Sequence, residues 1–218
     1  MYPSARALKL AVNRNDLVEE YKEVLGGQEN AEIFLCLWID VVRLLELWNQ
    51  HNTLFSSENL PVLKNTRERF WAFQQSIMKD AIVLSFSRLT DDIRSGSHEH
   101  LSIFQMKKLF DSTGEKDDKK ALSSTFKEIR KRRGSVKAIR NTKIAHNDLR
   151  YTLNPTEFTE NVSFGELEDL LELLKETIQI TENRFGICDD LGWPDHTYSQ
   201  AESFLASLRY LQEKGGDS

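Results

Sequence analysis

The sequence predicts an all-α protein, a helical bundle arranged around one long central helix. Three observations carry that prediction. Gly and Pro, 10 and 4 among 218 residues, fall almost entirely between apolar-periodic segments, which is how helices are punctuated. No strand-type alternation persists over six residues. Ser163-Phe-Gly-Glu166 is a capping box, and it opens a segment whose Leu167, Leu170, Leu171, Leu174 and Ile178 share one apolar face.

Taken in order, the spacing predicts helices at about 4–25, 29–50, 60–90, 101–111, 118–132, 135–149, 164–184 and 197–214. Gly26-Gly27 closes the first. Ile33–Trp48 is the most apolar stretch, but Asp40, Arg43 and Glu46 interrupt it. It falls short of the roughly 18 uncharged residues of a membrane span and reads as a buried helix. Pro61 sits where a first-turn proline belongs. The helix after it carries two stripes, Phe70, Phe73, Ile77, Ala81, Leu84 and Trp71, Met78, Ile82, Leu89. Burial on two sides makes this the expected central element. Asp111–Lys120 is charged and turn-rich, a loop. Gly186–Asp195 contains two Gly and a Pro, so residues 186–218 are expected to form a helical appendage to a single domain spanning 1–218.

Composition narrows the function classes. With 39% hydrophobic and 29% charged residues, the chain is neither collagen-like, low-complexity nor disordered. Cys36 and Cys188 cannot build a disulfide framework, and Met1–Leu10 has no apolar signal core. A reducing, cytoplasmic compartment is expected, with no membrane partner, no metal and no cofactor. The net charge of −5 excludes a general nucleic-acid adhesive. Yet Lys127, Arg130, Lys131, Arg132, Arg133, Lys137, Arg140 and Lys143 face a single acid, Glu128, a local +7. This run reads equally as an RNA-contacting face, with Arg132, Arg133 and Lys137 as contacts, or as a solvated face paired with the acidic Glu166–Glu176 helix.

The segment that suits chemistry is Val136–Arg150, VKAIRNTKIAHNDLR. On a regular helix Ala138 and Ala145 form a small inward face. Arg140, Lys143, His146 and Asn147 share an arc of about 120° on the opposite side. A guanidinium matches a phosphate with two parallel hydrogen bonds, and an imidazole exchanges protons near neutrality. Together they suffice to cleave RNA without a metal. The ribose 2′-OH attacks, His146 moves protons and Arg140 stabilises the developing charge. Asn141, Lys143 and Asn147 would orient the pair or contact phosphate. One copy scarcely encloses a phosphate, so a homodimer bringing two such faces together is expected.

These residues carry a resemblance. Arg140-Asn141 followed by IAHND (Ile144–Asp148) resembles the R-x(4–6)-H motif of the HEPN (higher eukaryotes and prokaryotes nucleotide-binding) superfamily. The order SFSRLTDD (Ser85–Asp92), EHLSI (Glu99–Ile103), RNTKIAHND resembles its AbiU-type abortive-infection branch, over roughly residues 30–185. The resemblance implies an all-α bundle, a dimer pairing the two motifs, and a metal-independent endoribonuclease leaving a 2′,3′-cyclic phosphate. It also implies a toxin or antiviral defence role, often with a nucleotidyltransferase antitoxin. The Tyr found two residues after the His in the better-known toxin branch is replaced by Asp148, so regulation by tyrosine modification does not carry over. A HEPN-like dimer that binds RNA, a nucleotide or a protein without cleaving is the alternative.

Three other features carry bland expectations. His98-Glu99-His100 is too local to chelate alone. Arg88 with Asp91 and Asp92 reads as a helix-end ion pair or a cap on the next segment. Trp38, Trp48 and Trp71 read as core or interface.

Overall fold

The computed structural model describes residues 14–111, 116–145, 162–187 and 200–215, without the side chains of Lys143 and Ala145. Seven α-helices account for most of them: α1 (Arg14–Tyr21), α2 (Gln28–Leu54), α3 (Leu60–Leu89), α4 (Met106–Asp111), α5 (Lys116–Ile139), α6 (Phe164–Phe185) and α7 (Gln200–Gly215). A two-residue antiparallel hairpin, β1 (Arg94–Ser95) and β2 (His98–Glu99), and a 3₁₀ turn (Ile103–Gln105) connect α3 to α4. A π turn (Arg140–Ala145) extends α5. Among the described residues no helix is long and apolar enough to cross a membrane.

The punctuation behaves as the sequence predicts. Gly27 precedes α2 with φ at +133°, a backbone that a side chain resists. Ser163 and Glu166 exchange both capping-box hydrogen bonds, at 3.1 and 2.9 Å, and open α6. Gly186, left-handed at φ +68°, closes it. Pro61 occupies the first turn of α3.

Two expectations are corrected. The break expected between the helices at 118–132 and 135–149 is absent: one α-helix runs through Gly134 to Ile139 and continues as the π turn to Ala145, and residues 146–149 lie outside the described residues. A glycine inside a helix costs about 1 kcal/mol relative to alanine, which the burial of Val136 just beyond it offsets. The central element is α2 rather than α3. Phe34, Leu35, Leu37, Trp38, Val41 and Leu44 are all buried, and α2 contributes more buried residues than α3 or α6. It packs against α1, α3, α6 and α7. On α3 only the stripe with Met78, Ile82 and Leu89 is buried, joined by Val83 and Phe86. The other stripe begins in solvent, with Phe70, Phe73 and Ile77 at 49%, 63% and 44% exposure. α3 is also interrupted at Arg67, where the backbone is extended.

The last helix, expected as an appendage, packs onto the bundle. Leu205 is buried in a second apolar cluster with Phe55, Leu63 and Met78. Phe204 lies 5.5 Å from Trp71, ring to ring. Gln212 Nε2 donates to the Val62 carbonyl at 3.0 Å.

Candidate functional site

The C-terminal end of α3 fixes the site. Thr90 caps the helix by donating its N–H and its hydroxyl to the Phe86 carbonyl, at 3.0 and 2.9 Å. The next carbonyl, that of Asp91, accepts from Ser102 Oγ at 2.6 Å. Ser102 is fully buried and is itself set by a capping box with Gln105, which opens the 3₁₀ turn. The backbone at Asp91 is therefore held from two directions, and its carboxylate is aimed at α5.

Arg140 receives that carboxylate. Its Nη1 donates to both Asp91 oxygens, at 2.8 and 3.1 Å, and its Nε donates to Asn141 Oδ1 at 3.0 Å. Lys137 Nζ lies 3.0 Å from the same carboxylate. One carboxylate shared by two cations leaves the locality positive, which suits an anion. Only 23% of the Arg140 side chain is exposed, so solvent screens the pair less than a surface pair.

Asp92 serves the neighbouring turn. Arg133 Nη2 donates to it at 2.8 Å, and Arg133 Nη1 donates to the Thr90 carbonyl. The Asp92 carboxyl is held below the usual carboxylate range, first by the Arg133 hydrogen bond, against a smaller opposing effect of burial. Arg130 and Arg133 lie over the Phe104 ring, 4.3 and 5.3 Å from its centroid. The segments SFSRLTDD, EHLSI and RNTKIA, separate in sequence, thus meet at one place.

Several site expectations change. The inward face of the motif helix is the Val136 face, not that of Ala138. Leu122, Phe126, Ile129 and Val136 are buried on it, and a further step of four reaches Arg140. Carrying this stripe forward would have placed Arg140 against α3. From Arg140 to Ala145 the wider π turn departs from the regular α-helical register. Arg133, a candidate RNA contact, is 12% exposed and bonded to Thr90 and Asp92, with its guanidinium over Phe104. Its geometry is that of a strut. Lys137 is tied to Asp91. Arg132 is more open, bonded to Glu128 and, at 2.9 Å, to Asp169 of α6. That bond realises the expected pairing with the acidic helix at one point. Asn141 is exposed. His146 and Asn147 lie outside the described residues, as does the side chain of Lys143.

Arg88 does not pair with Asp91 or Asp92. It approaches Asp40 of α2 at 3.7 Å. Asp91 as the partner of Arg140 is what sequence reasoning missed, because 49 residues separate them and no local spacing links them. Trp38 is core and donates to Glu182 at 2.7 Å. Trp48 is core as well, and Trp71 covers the second cluster. His98 and His100 lie at the hairpin. Among the described residues no group of three or more His, Cys, Asp or Glu side chains is placed to hold a metal ion.

The family described as AbiU2, of the HEPN type, matches residues 28–209. The match runs past the 30–185 of the sequence resemblance and takes in much of α7. No curated protein and no solved structure matches the chain.

Proposed function

From the premise that the chain belongs to the AbiU2 family of HEPN domains, we propose that it is a metal-independent endoribonuclease, a toxin or antiviral effector of the abortive-infection kind. The observation that supports this best is the brace on Arg140. The first residue of the motif opens a π turn, a device often found at functional sites, and a backbone-anchored carboxylate fixes its guanidinium.

In this reading the ribose 2′-OH attacks the adjacent phosphorus and the bond to the 5′-oxygen breaks. The products are a 2′,3′-cyclic phosphate and a 5′-hydroxyl. His146 accepts the 2′-OH proton or delivers one to the leaving oxygen, a role worth roughly 10²–10⁴-fold. Arg140 stabilises charge on the phosphorane oxygens with the donors that Asp91 leaves to it. Lys137 and Lys143 add positive field, and Asn141 steadies the Arg140 Nε. A homodimer would bring two copies of the motif to one RNA strand in the cytoplasm, under the control of a nucleotidyltransferase-type antitoxin.

The test is cleavage of single-stranded RNA by the purified protein in EDTA. Cleavage with 2′,3′-cyclic phosphate ends is expected, lost in Arg140→Ala and His146→Ala. Loss on chelation, or undiminished cleavage by His146→Ala, defeats the mechanism. One observation favours a second reading, a binding dimer without catalysis: Asp91 already occupies Arg140. Salt-sensitive RNA binding without new products would identify it.

A further inference from the structure

Beside Arg140, α2, the end of α3 and the two residues after the β-hairpin, His100 and Leu101, border a cleft of about 570 Å³. That lies within the ~300–1,000 Å³ of clefts that take small organic ligands. Asp91 is part of its wall, so the cleft adjoins Arg140 across a single carboxylate. Its floor is apolar, formed by the buried Leu44 and Leu89.

Two guanidinium groups border it, Arg43 from α2 and Arg88 from α3. Both lean toward the same carboxylate, Asp40, at 3.9 and 3.7 Å, with side chains 52% and 75% exposed. Exposed ion pairs at such separations are weak and release their cations readily. The Arg140–Asp91 pair, at 2.8 Å and largely covered, is of the opposite kind. Glu46 adds a carboxylate to the wall. The cleft therefore combines an apolar floor, two loosely held phosphate-matching forks and an acceptor of hydrogen bonds.

We propose that this cleft holds the nucleotide next to the scissile phosphate, a proposal that rests on the ribonuclease reading above. Arg43 and Arg88 exchange Asp40 for that nucleotide's phosphate, which they meet with paired hydrogen bonds. Leu44 and Leu89 cover a face of the base. Glu46 accepts from an exocyclic amino group, present on adenine, cytosine and guanine and absent from uracil. The cleft thus selects among bases, while Arg140 serves every phosphate alike.

The test uses fluorescein-labelled 2′-O-methyl tetracytidylate and tetrauridylate, whose blocked 2′-oxygens prevent cleavage. Binding is read by fluorescence anisotropy in 50 mM salt. The full-length protein is expected to bind tetracytidylate more tightly than tetrauridylate. Arg43→Ala with Arg88→Ala should weaken binding roughly tenfold or more, and Arg43→Lys with Arg88→Lys by an intermediate factor. Glu46→Gln should narrow the preference for cytosine. Circular dichroism checks that these exposed substitutions leave the helices intact. Binding by the double alanine variant equal to that of the unmodified protein overturns the proposal, as does equal binding of the two probes. If unblocked RNA is not cleaved while tetracytidylate still binds through Arg43 and Arg88, the ribonuclease reading fails and the cleft stands. If both proteins cleave and bind alike, the cleft fails and the ribonuclease reading stands.

Discussion

The two ends of α3 are held in place by different forces. The C-terminal end, whose Ile82, Val83, Phe86 and Leu89 are buried in the main core, is tied in addition by short polar contacts: Ser102 to the Asp91 backbone, Asp91 to Arg140 and Lys137, and Asp92 to Arg133. The N-terminal half is interrupted at Arg67 and held mainly by apolar burial against α7, with Phe70 and Phe73 left in solvent. Polar contacts are directional and fix where a guanidinium points, whereas apolar burial is non-directional and fixes only that two helices touch. The first end is therefore built to aim a charge, and the second to keep the bundle closed.

The largest effect should come from the apolar end. Leu205→Ala empties part of the second cluster and should cost about 2–5 kcal/mol, seen as a fall in Tm, with RNA cleavage per folded molecule unchanged. A silent Leu205→Ala would mean that α7 contributes nothing to the fold. Next is Asp91→Ala, which frees Arg140 from its anchor. Cleavage should fall roughly 10²-fold, because small misplacements of a catalytic group are that costly. Its Tm should drop less than that of Leu205→Ala. Comparable losses of stability in the two variants would erase the distinction between the ends.

A smaller effect follows pH. His51, 2% exposed, stacks among Trp48, Phe55 and Phe164. Burial lowers its pKa first, and the nearby Lys79 charge lowers it further, against a hydrogen bond to Asn52. The folded protein thus keeps the ring neutral where the unfolded chain has begun to protonate it. As pH falls below about 6.5 the unfolded state binds more protons, and stability declines. Tm should drop between pH 7.5 and 5.5, and His51→Gln should flatten that drop; an unaltered slope would assign it to other groups. The smallest effect is expected at Phe73. Phe73→Ser should change stability by no more than about 0.5 kcal/mol. Loss of a dimer in sedimentation would instead make this stripe an interface.

The capping box at Ser163, the glycine after α6 and the stripe of α6 were legible because each is a local rule, met within one or two turns of chain. The candidate site was legible only in part. Arg140 is legible from its residue type and its motif, whereas the approach of Arg88 to Asp40, 48 residues away, is not. Which face of α5 turned inward was misjudged because small residues at 138 and 145 looked like a contact face, whereas the large apolar residues at 122, 126, 129 and 136 decided it by area. The choice of central helix failed for a related reason. Apolar periodicity reports that a face needs covering, not whether the rest of the chain supplies the cover.

The sequence by itself determined the helices, their caps and the basic motif, all consequences of interactions between residues a few positions apart. Only the tertiary structure decided that Asp91 braces Arg140, that Arg133 is a strut, and that α2 lies at the centre. Those outcomes depend on contacts between segments tens of residues apart. Such contacts are set by how the apolar faces of whole helices share one limited interior, and no local pattern records that.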